Sequence, residues 1–491
     1  MTDRISHTVR VSAAPAGRIL VLPLARSQWT GLLENGHGLL NGGDHAILRG
    51  LSELTRFKAQ RGTQLSAPIS DGRLVIVVGL GDETRSVALR EAAASAHGFL
   101  PEGGGVEWSL VVPAADREGS SAADLILAAA EGLLLGPYRF TASTKNGVEH
   151  PGPCNLVTDR PEAGAALAQA VAHAEGMVLT RDLVNTPAAD LGPGEISAAA
   201  CEVAHCYGMR TTVYTGGELL EQGFNLTHHV GKAADRPSTV TIVENGPVGA
   251  TPLLGIIGKG VAFDTGGLDL KTGGSMQLMR KDMGGAGTVI GALETIGRLG
   301  CELPFVAILP SAENAIGPGA MRPGDVLRAA DGTSVEIGNT DAEGRLLLAD
   351  GLIAARKLGA PRLLDVATLT GAARVALGPD VPALFGTDEA LVADLLERSR
   401  RHDEDLWRMP LVDAYEAWID TPFADVNNSG SDRRGGAITA ALFLKRFAKD
   451  TPWAHIDLYA WEDRGKPGTP RGGNGMAVRT VAQMVLGLDR L

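Results

Sequence analysis

The chain has 491 residues, 44% apolar and 21% charged, which is long enough for two or three domains and apolar enough to bury cores. A formal charge of −12 excludes nucleic acid or an anionic membrane as the main partner, and the acidic surplus lies beyond residue 160. Four cysteines without a CxxC pair exclude a disulfide framework, and no basic leader or apolar run of 18 residues appears, so a cytoplasmic location is expected.

In chain order, "GRILVLPLA" (17–25), "RLVIVVGLG" (73–81) and "WSLVVP" (108–113) read as buried strands separated by Ala-rich helical stretches. A helix is predicted over 122–140, and the polar passage 141–164 reads as a connection between domains. The expected division is therefore an N-terminal α/β domain with a small open sheet at 1–163 and a larger catalytic α/β domain at 164–491. The larger domain opens with a helix from about 164 that stops before Pro187. Strand candidates follow at 211–215, 238–245, 252–260, 304–314, 362–371 and 454–461, with helices at 283–299, 345–358 and 435–448. That alternation predicts a central mixed, mostly parallel sheet with helices on both faces. Cys201 and Cys206 flank His205 on a helical stretch, but their spacing points them apart, so buried thiols are expected rather than a zinc site.

Ligand sites in such a sheet lie beyond the strand C-termini. Three polar clusters fall there. "GKGVAFDTGG" carries Lys259 and Asp264, "KTGGSMQLMRKDMGG" carries Lys271 and Asp282, and "EIGNTDAEGRLLLADGL" carries Asp341, Glu343 and Arg345. Asp264-Thr265-Gly266 resembles an aspartic-protease tripeptide, but that chemistry needs a second facing carboxylate from a second copy, and none exists. Taken singly, Asp341-Ala342-Glu343 reads as a helix cap, Lys259 as a surface charge and Asp264-Thr265-Gly266 as a turn. Extended backbone at 341–343 would point both carboxylates to one side. Together, four carboxylates in one place repel each other unless cations intervene, and two divalent ions would balance them.

"NTDAEGRLLLAD" is very similar to the signature of the leucyl (cytosol) aminopeptidases, peptidase family M17. "GKGVAFDTGGLDLKTGGSMQLMRKDMGGA", "RDLVNTPAADLGP", "DVATLTGAARVALG", "NNSGSDRRGGAITAALFLKRF" and "WAHIDLYAW" resemble further family blocks, in order over roughly residues 120–490. The resemblance implies metal ligation by Lys259, Asp264, Asp282, Asp341 and Glu343, with Lys271 and Arg345 as the catalytic pair. It implies two divalent ions, manganese or zinc with magnesium a third candidate, and a metal-activated water as nucleophile. Arg345 would hold a bicarbonate that shuttles protons. Met279 would line the pocket for the first side chain, and Leu369 and Gly371 would lie against substrate backbone. Short peptides are the implied substrates and a homohexamer the implied assembly. Two other classes compete, a DNA-binding regulatory role found in some members of that family and an inactive scaffold. The acidic charge opposes the first and the full set of site residues opposes the second.

This chain departs from the family pattern at Asp269, beside the lysine segment, where a small polar residue is usual, and at Thr272, where proline is usual. Tyr459 and Trp461 follow the "HID" strand where small residues are usual. Strand alternation would place those two aromatics on one face and Ala460 and Glu462 on the other, so leucine is not expected to be the clear favourite.

Overall fold

The computed structural model describes every residue except 1–3, 6–7, 36–37, 83–85, 101–104, 114–120, 143–151, 433 and 489–491. The chain forms two compact units, Thr2–Val178 with Arg464–Arg471, and Leu179–Asp463 with Gly472–Leu491.

The first unit is built on a six-stranded sheet. Its strands are β1 (Val9–Ser12), β2 (Ile19–Ala25), β3 (Gln64–Pro68), β4 (Leu74–Gly81), β5 (Trp108–Val111) and β6 (Cys154–Val157). They lie in the order β1-β6-β5-β2-β4-β3, with only β3 antiparallel to its neighbour. The long apolar runs β2 and β4 sit at 19–25 and 74–81 as the sequence indicates. The passage 141–164, read as a connection, lies partly outside the described residues, and its described part supplies strand β6 and the start of the helix Ala163–Asn185. The predicted helix over 122–140 ends at Leu135, ahead of Gly136 and Pro137.

The second unit holds nine strands in one sheet. They are β7 (Arg210–Thr215), β8 (Thr239–Asn245), β9 (Gly255–Gly258), β10 (Gly260–Asp264) and β11 (Phe305–Asn314), then β14 (Leu363–Ala367), β15 (Ala383–Gly386), β16 (Trp407–Arg408) and β18 (Trp453–Asp457). The intervening β12 (Val326–Arg328), β13 (Ser334–Glu336) and β17 (Val426–Asn427) form a separate three-stranded sheet. The large sheet runs β16-β15-β18-β14-β9-β11-β8-β7, with β10 paired to the far end of β11. Its centre, β18-β14-β9-β11, is parallel. Both faces are covered, which is why these strands read as unbroken apolar runs. On one face Ile256, Leu364 and Ile456 pack with Ile196, Val289, Leu293 and Val481. On the other, Ile257 and Ile308 pack with Leu348, Leu352, Phe443 and Phe447. Burying each such side chain contributes about 1.5–3 kcal/mol, so the strand ends are held on a rigid frame.

The helix Pro193–Cys206 carries Cys201, half-buried, and Cys206, exposed. The expectation of two buried thiols does not hold, because the helix end leaves position 206 facing solvent. No helix among the described residues is long and apolar enough to cross a membrane.

Candidate active site

A cleft of about 960 Å³ opens at the C-terminal ends of the parallel strands. It is lined by all ten residues singled out in the sequence: Lys259, Asp264, Lys271, Met279, Asp282, Asp341, Glu343, Arg345, Leu369 and Gly371. Each is delivered by a definable local feature.

Lys259 sits in the one-residue break between β9 and β10. Its backbone N–H donates to Val366 O at 3.1 Å and its carbonyl accepts from Ala286 N at 2.8 Å, which turns the side chain out of the sheet. The Nζ lies 2.7 Å from Asp282 Oδ2 and 3.2 Å from Glu343 Oε1, and it donates to Thr368 O at 2.7 Å. A Cβ at Gly344 would lie 2.3 Å from Lys259 Cε, so glycine at the start of the helix Gly344–Lys357 leaves the lysine the room it occupies. Asp264 ends β10, and its Oδ1 accepts from Asn314 Nδ2 and Gly266 N, both at 2.8 Å. The Asp-Thr-Gly-Gly turn is real, with Gly266 and Gly267 at φ 87° and 64°, a region that favours glycine. It presents the carboxylate rather than merely reversing the chain.

Lys271 Nζ is 2.8 Å from Asp264 Oδ2 and 2.5 Å from Asp341 Oδ1. Asp269 does not add a loose charge beside it. Its carboxylate accepts from Thr340 N at 2.8 Å, which ties the lysine segment to the residue before Asp341. Asp341 and Glu343 meet through a turn at 340–341 running into the helix, with Glu343 at φ −76°, ψ −36°. The expected extended backbone is absent, and Glu343 occupies the cap position without making a capping bond.

Several buried polar residues that the sequence reading passed over hold this arrangement. Asn428 Oδ1 accepts from Gly338 N and Asn339 N, and its Nδ2 donates to Asn339 O and Ala342 O, fixing the loop that carries Asp341. Its carbonyl accepts from Arg345 Nη1 at 2.5 Å. Asp457 accepts from Leu369 N, Thr370 N and Thr370 Oγ1, which orients the strand exit at 369–371. Thr368 Oγ1 donates to Asp282 Oδ1 at 2.9 Å. The available signal was polar residues placed immediately after apolar strands, as in "HID" and "VATLT".

Burial first, and then the neighbouring charges, set the protonation of the cluster. The Glu343 carboxyl is pushed well above its usual range by burial and by Asp264, and Asp282 is raised by burial, with Lys259 opposing. Asp341 is raised to about 6 by burial and by the Asp264 charge. Lys259 and Lys271 lose favour through burial, but their carboxylate partners outweigh it and both are raised. Burial lowers Arg345 to about 10 and Lys281 to about 8.

Asp264, Asp341 and Glu343 each offer an oxygen within 4.8 Å of the others. Buried carboxylates this close repel one another and are relieved by divalent cations, so the donor set fits an oxygen-bound metal pair.

Beyond the "HID" strand the chain does not stay extended. β18 ends at Asp457, and Ala460 takes φ 58°. The alternation expected for 458–462 is therefore broken. Tyr459 lines the cleft, and Trp461 is buried beneath the Arg280 guanidinium, which lies 5.3 Å from its ring centroid.

Fold and site together define an α/β protein with an acidic, metal-suited cleft at the carboxyl edge of a mostly parallel sheet. Comparison with known proteins makes this specific. The "Cytosol aminopeptidase family, catalytic domain" description matches residues 178–482, and the family's N-terminal domain matches 35–146. A probable cytosol aminopeptidase of Cyanothece sp. is 36% identical over 452 residues, 90% of this chain and 91% of that protein. Among solved structures, the bottromycin maturation enzyme BotP in complex with Mn is similar at TM-score 0.85 and 36% identity, over 96% of this chain and all of that one. The cytosol aminopeptidase of Coxiella burnetii is similar at TM-score 0.85 and 33% identity, over 98% of each chain. The chain belongs to the cytosol aminopeptidase family, peptidase family M17. It is accordingly a metallo-aminopeptidase, a hydrolase.

Proposed function

We propose that the protein is a dimetal exopeptidase that releases the first amino acid from short peptides. The observation that carries this reading is the convergence of Asp264, Asp282, Asp341 and Glu343 with Lys259 and Lys271 in one cleft. Asp264, Asp282, Asp341, Glu343 and a deprotonated Lys259 would hold the two cations, whose chemistry is to acidify water and polarise a peptide carbonyl. The Mn found with a structural neighbour makes manganese the first candidate, with zinc and magnesium to be compared.

The remaining work falls to the chain's own groups. Lys271 Nζ faces the cleft and donates to the carbonyl oxygen as negative charge develops there. Arg345 keeps its guanidinium beside Glu343, with Nη1 on Asn428 O and with a buried Nε that has no partner among the described residues. That donor suits a bicarbonate, which Arg345 would hold and whose chemistry when bound would be to accept and return a proton beside the cations. Leu369 and Gly371, steadied by Asp457, border the path of the substrate backbone. A free α-amine among the carboxylates selects chain ends over internal peptide bonds. A homohexamer with enclosed sites would restrict substrates to short, unfolded peptides.

The test is hydrolysis of aminoacyl anilides after metal stripping, followed by add-back of Mn²⁺, Zn²⁺ or Mg²⁺. Full activity in protein shown to be metal-free by elemental analysis would overturn the metal reading. A mass measurement giving an active species of 51 kDa would remove the hexamer.

A further inference from the structure

Three short elements bring two cations to one wall of the cleft. Lys281 lies in the turn of 3₁₀ helix Ser275–Met283 that also carries Asp282. Arg374 lies in the helix Gly371–Leu377, and Tyr459 stands two residues after Asp457. Lys281 Nζ and the Arg374 guanidinium each sit 4.8 Å from the centroid of the Tyr459 ring, and all three line the cleft.

Among the described residues, neither cation has a carboxylate within ion-pair distance, although Lys281 is only 7% exposed. The nearby acids are engaged elsewhere. Asp282 is held by Lys259 and Thr368, and Asp457 accepts three bonds from Leu369 and Thr370. A buried ammonium without a counter-charge is costly, and the ring face returns only part of that cost. On the floor of the same cleft both lysines face carboxylates, so the wall is the place where positive charge is left without a built-in anion.

We propose that Lys281, Arg374 and Tyr459 form an anion-recognising wall that selects peptides whose first residue is aspartate or glutamate. The inference rests on the aminopeptidase reading of the cleft. Lys281 neighbours Asp282 in the chain, so its ammonium borders the carboxylate set where a substrate's α-amine would be held. The first side chain branches from the carbon bearing that amine, and its carboxylate has two to three bonds to span. The carboxylate at the far end of even a dipeptide is several bonds more distant. Two donors of different shape, a point ammonium and a planar fork, suit the two oxygens of one carboxylate. The same wall repels lysine and arginine.

The decisive comparison is glutamyl against glutaminyl anilide, which have nearly the same shape and differ in charge. We expect kcat/KM to favour the glutamyl substrate by about 10- to 100-fold, falling as salt rises. The ratio should collapse toward unity in Lys281→Gln and in Arg374→Gln, and part of it should remain in Arg374→Lys. Arg374→Glu should shift preference toward lysyl anilide, a gain that misfolding cannot produce. Hydrolysis of both substrates at equal kcat/KM in the unaltered enzyme would overturn the inference and leave the aminopeptidase reading standing. If no anilide is cleaved, the aminopeptidase reading fails, and calorimetric titration of the Mn-loaded protein with glutamate and glutamine α-hydroxamates still decides the wall. Tighter binding of the glutamate form supports it, and equal binding overturns it.

Discussion

On the floor of the cleft, Lys259 and Lys271 meet Asp264, Asp282, Asp341 and Glu343 at 2.5–3.2 Å, so each cation has an anion built into the fold. On the wall, Lys281 and Arg374 face the same space across the ring of Tyr459, with no carboxylate in reach among the described residues. Compensated charge serves chemistry that recurs with every substrate. Uncompensated charge waits for a particular one. The two regions should therefore fail differently when altered, the floor in rate and metal content and the wall in discrimination between substrates.

The largest effects are expected on the floor. Removing the metals should abolish turnover. Lys271→Ala should retain metal and lose about 10²–10³ in kcat, the typical loss for one donor facing developing oxyanion charge. Arg345→Ala should retain metal with a smaller loss. Glu343→Gln and Asp341→Asn should lower the metal content itself. Elemental analysis beside kcat separates the two kinds of failure, and equal metal loss in all four variants would dissolve the division of roles.

Gly344→Ala sharpens the same point without touching a charge. Alanine is the better helix former, so the helix Gly344–Lys357 gains locally. Its new Cβ would lie 2.3 Å from Lys259 Cε, and Lys259 is locked by Asp282, Glu343 and Thr368 O. The lysine must move. Metal affinity should fall about 10- to 100-fold, as when a group orienting a ligand is lost, while the Glu/Gln substrate ratio set by the wall stays where it was. Metal titration and paired kinetics check both halves.

A pH series probes how the floor's charges are balanced. In metal-free protein Asp341 is raised from its ordinary 3.8 to about 6, and Asp282 and Glu343 move the same way. For a carboxyl raised in the folded state, the stabilisation is fully present below the unfolded value near 3.8 and is lost as pH rises through about 6. The metal-free fold therefore carries an electrostatic penalty at neutral pH that cations remove. Scanning calorimetry should show a larger metal-induced rise in Tm at pH 7.5 than at pH 5, with protons released on binding. An equal rise at both values would mean that the carboxylates are not coupled as described.

The long strands and their order of alternation were legible because both sheet faces are buried, so each strand reads as a solid apolar run. The floor was legible because its residues lie in contiguous motifs at strand ends. The short strands β1, β3 and β6 have no such signal, and β6 falls in a polar passage that looked like a connection. Asn428 and Asp457 act through backbone groups far away in the chain, at 338–342 and 369–370, and no local pattern reveals that. The wall was hidden for a third reason. Alternation predicts an extended chain through 458–462, but the positive φ at Ala460 turns it, and only the fold shows Tyr459, far from Lys281 and Arg374 in sequence, beside both in space.

The smallest effect expected is also the one that tests what Tyr459 contributes. Its ring lies under both cations, and its hydroxyl donates to Asp463 Oδ1 at 3.3 Å, near the limit of a hydrogen bond. If the ring holds the cations in place, Tyr459→Phe keeps the π face that both cations meet and should change the Glu/Gln ratio by less than about threefold. Tyr459→Ala removes that face and opens the wall, so Lys281 and Arg374 lose their common anchor. The ratio should then fall further than in the phenylalanine variant, while kcat for the glutamyl substrate falls less than in Lys271→Ala, because no group facing the reacting carbonyl has moved. Should Phe and Ala give the same ratio as Tyr, the ring is a bystander and the two cations alone define the wall. A Phe variant as impaired as Ala would instead assign the role to the hydroxyl and its bond to Asp463.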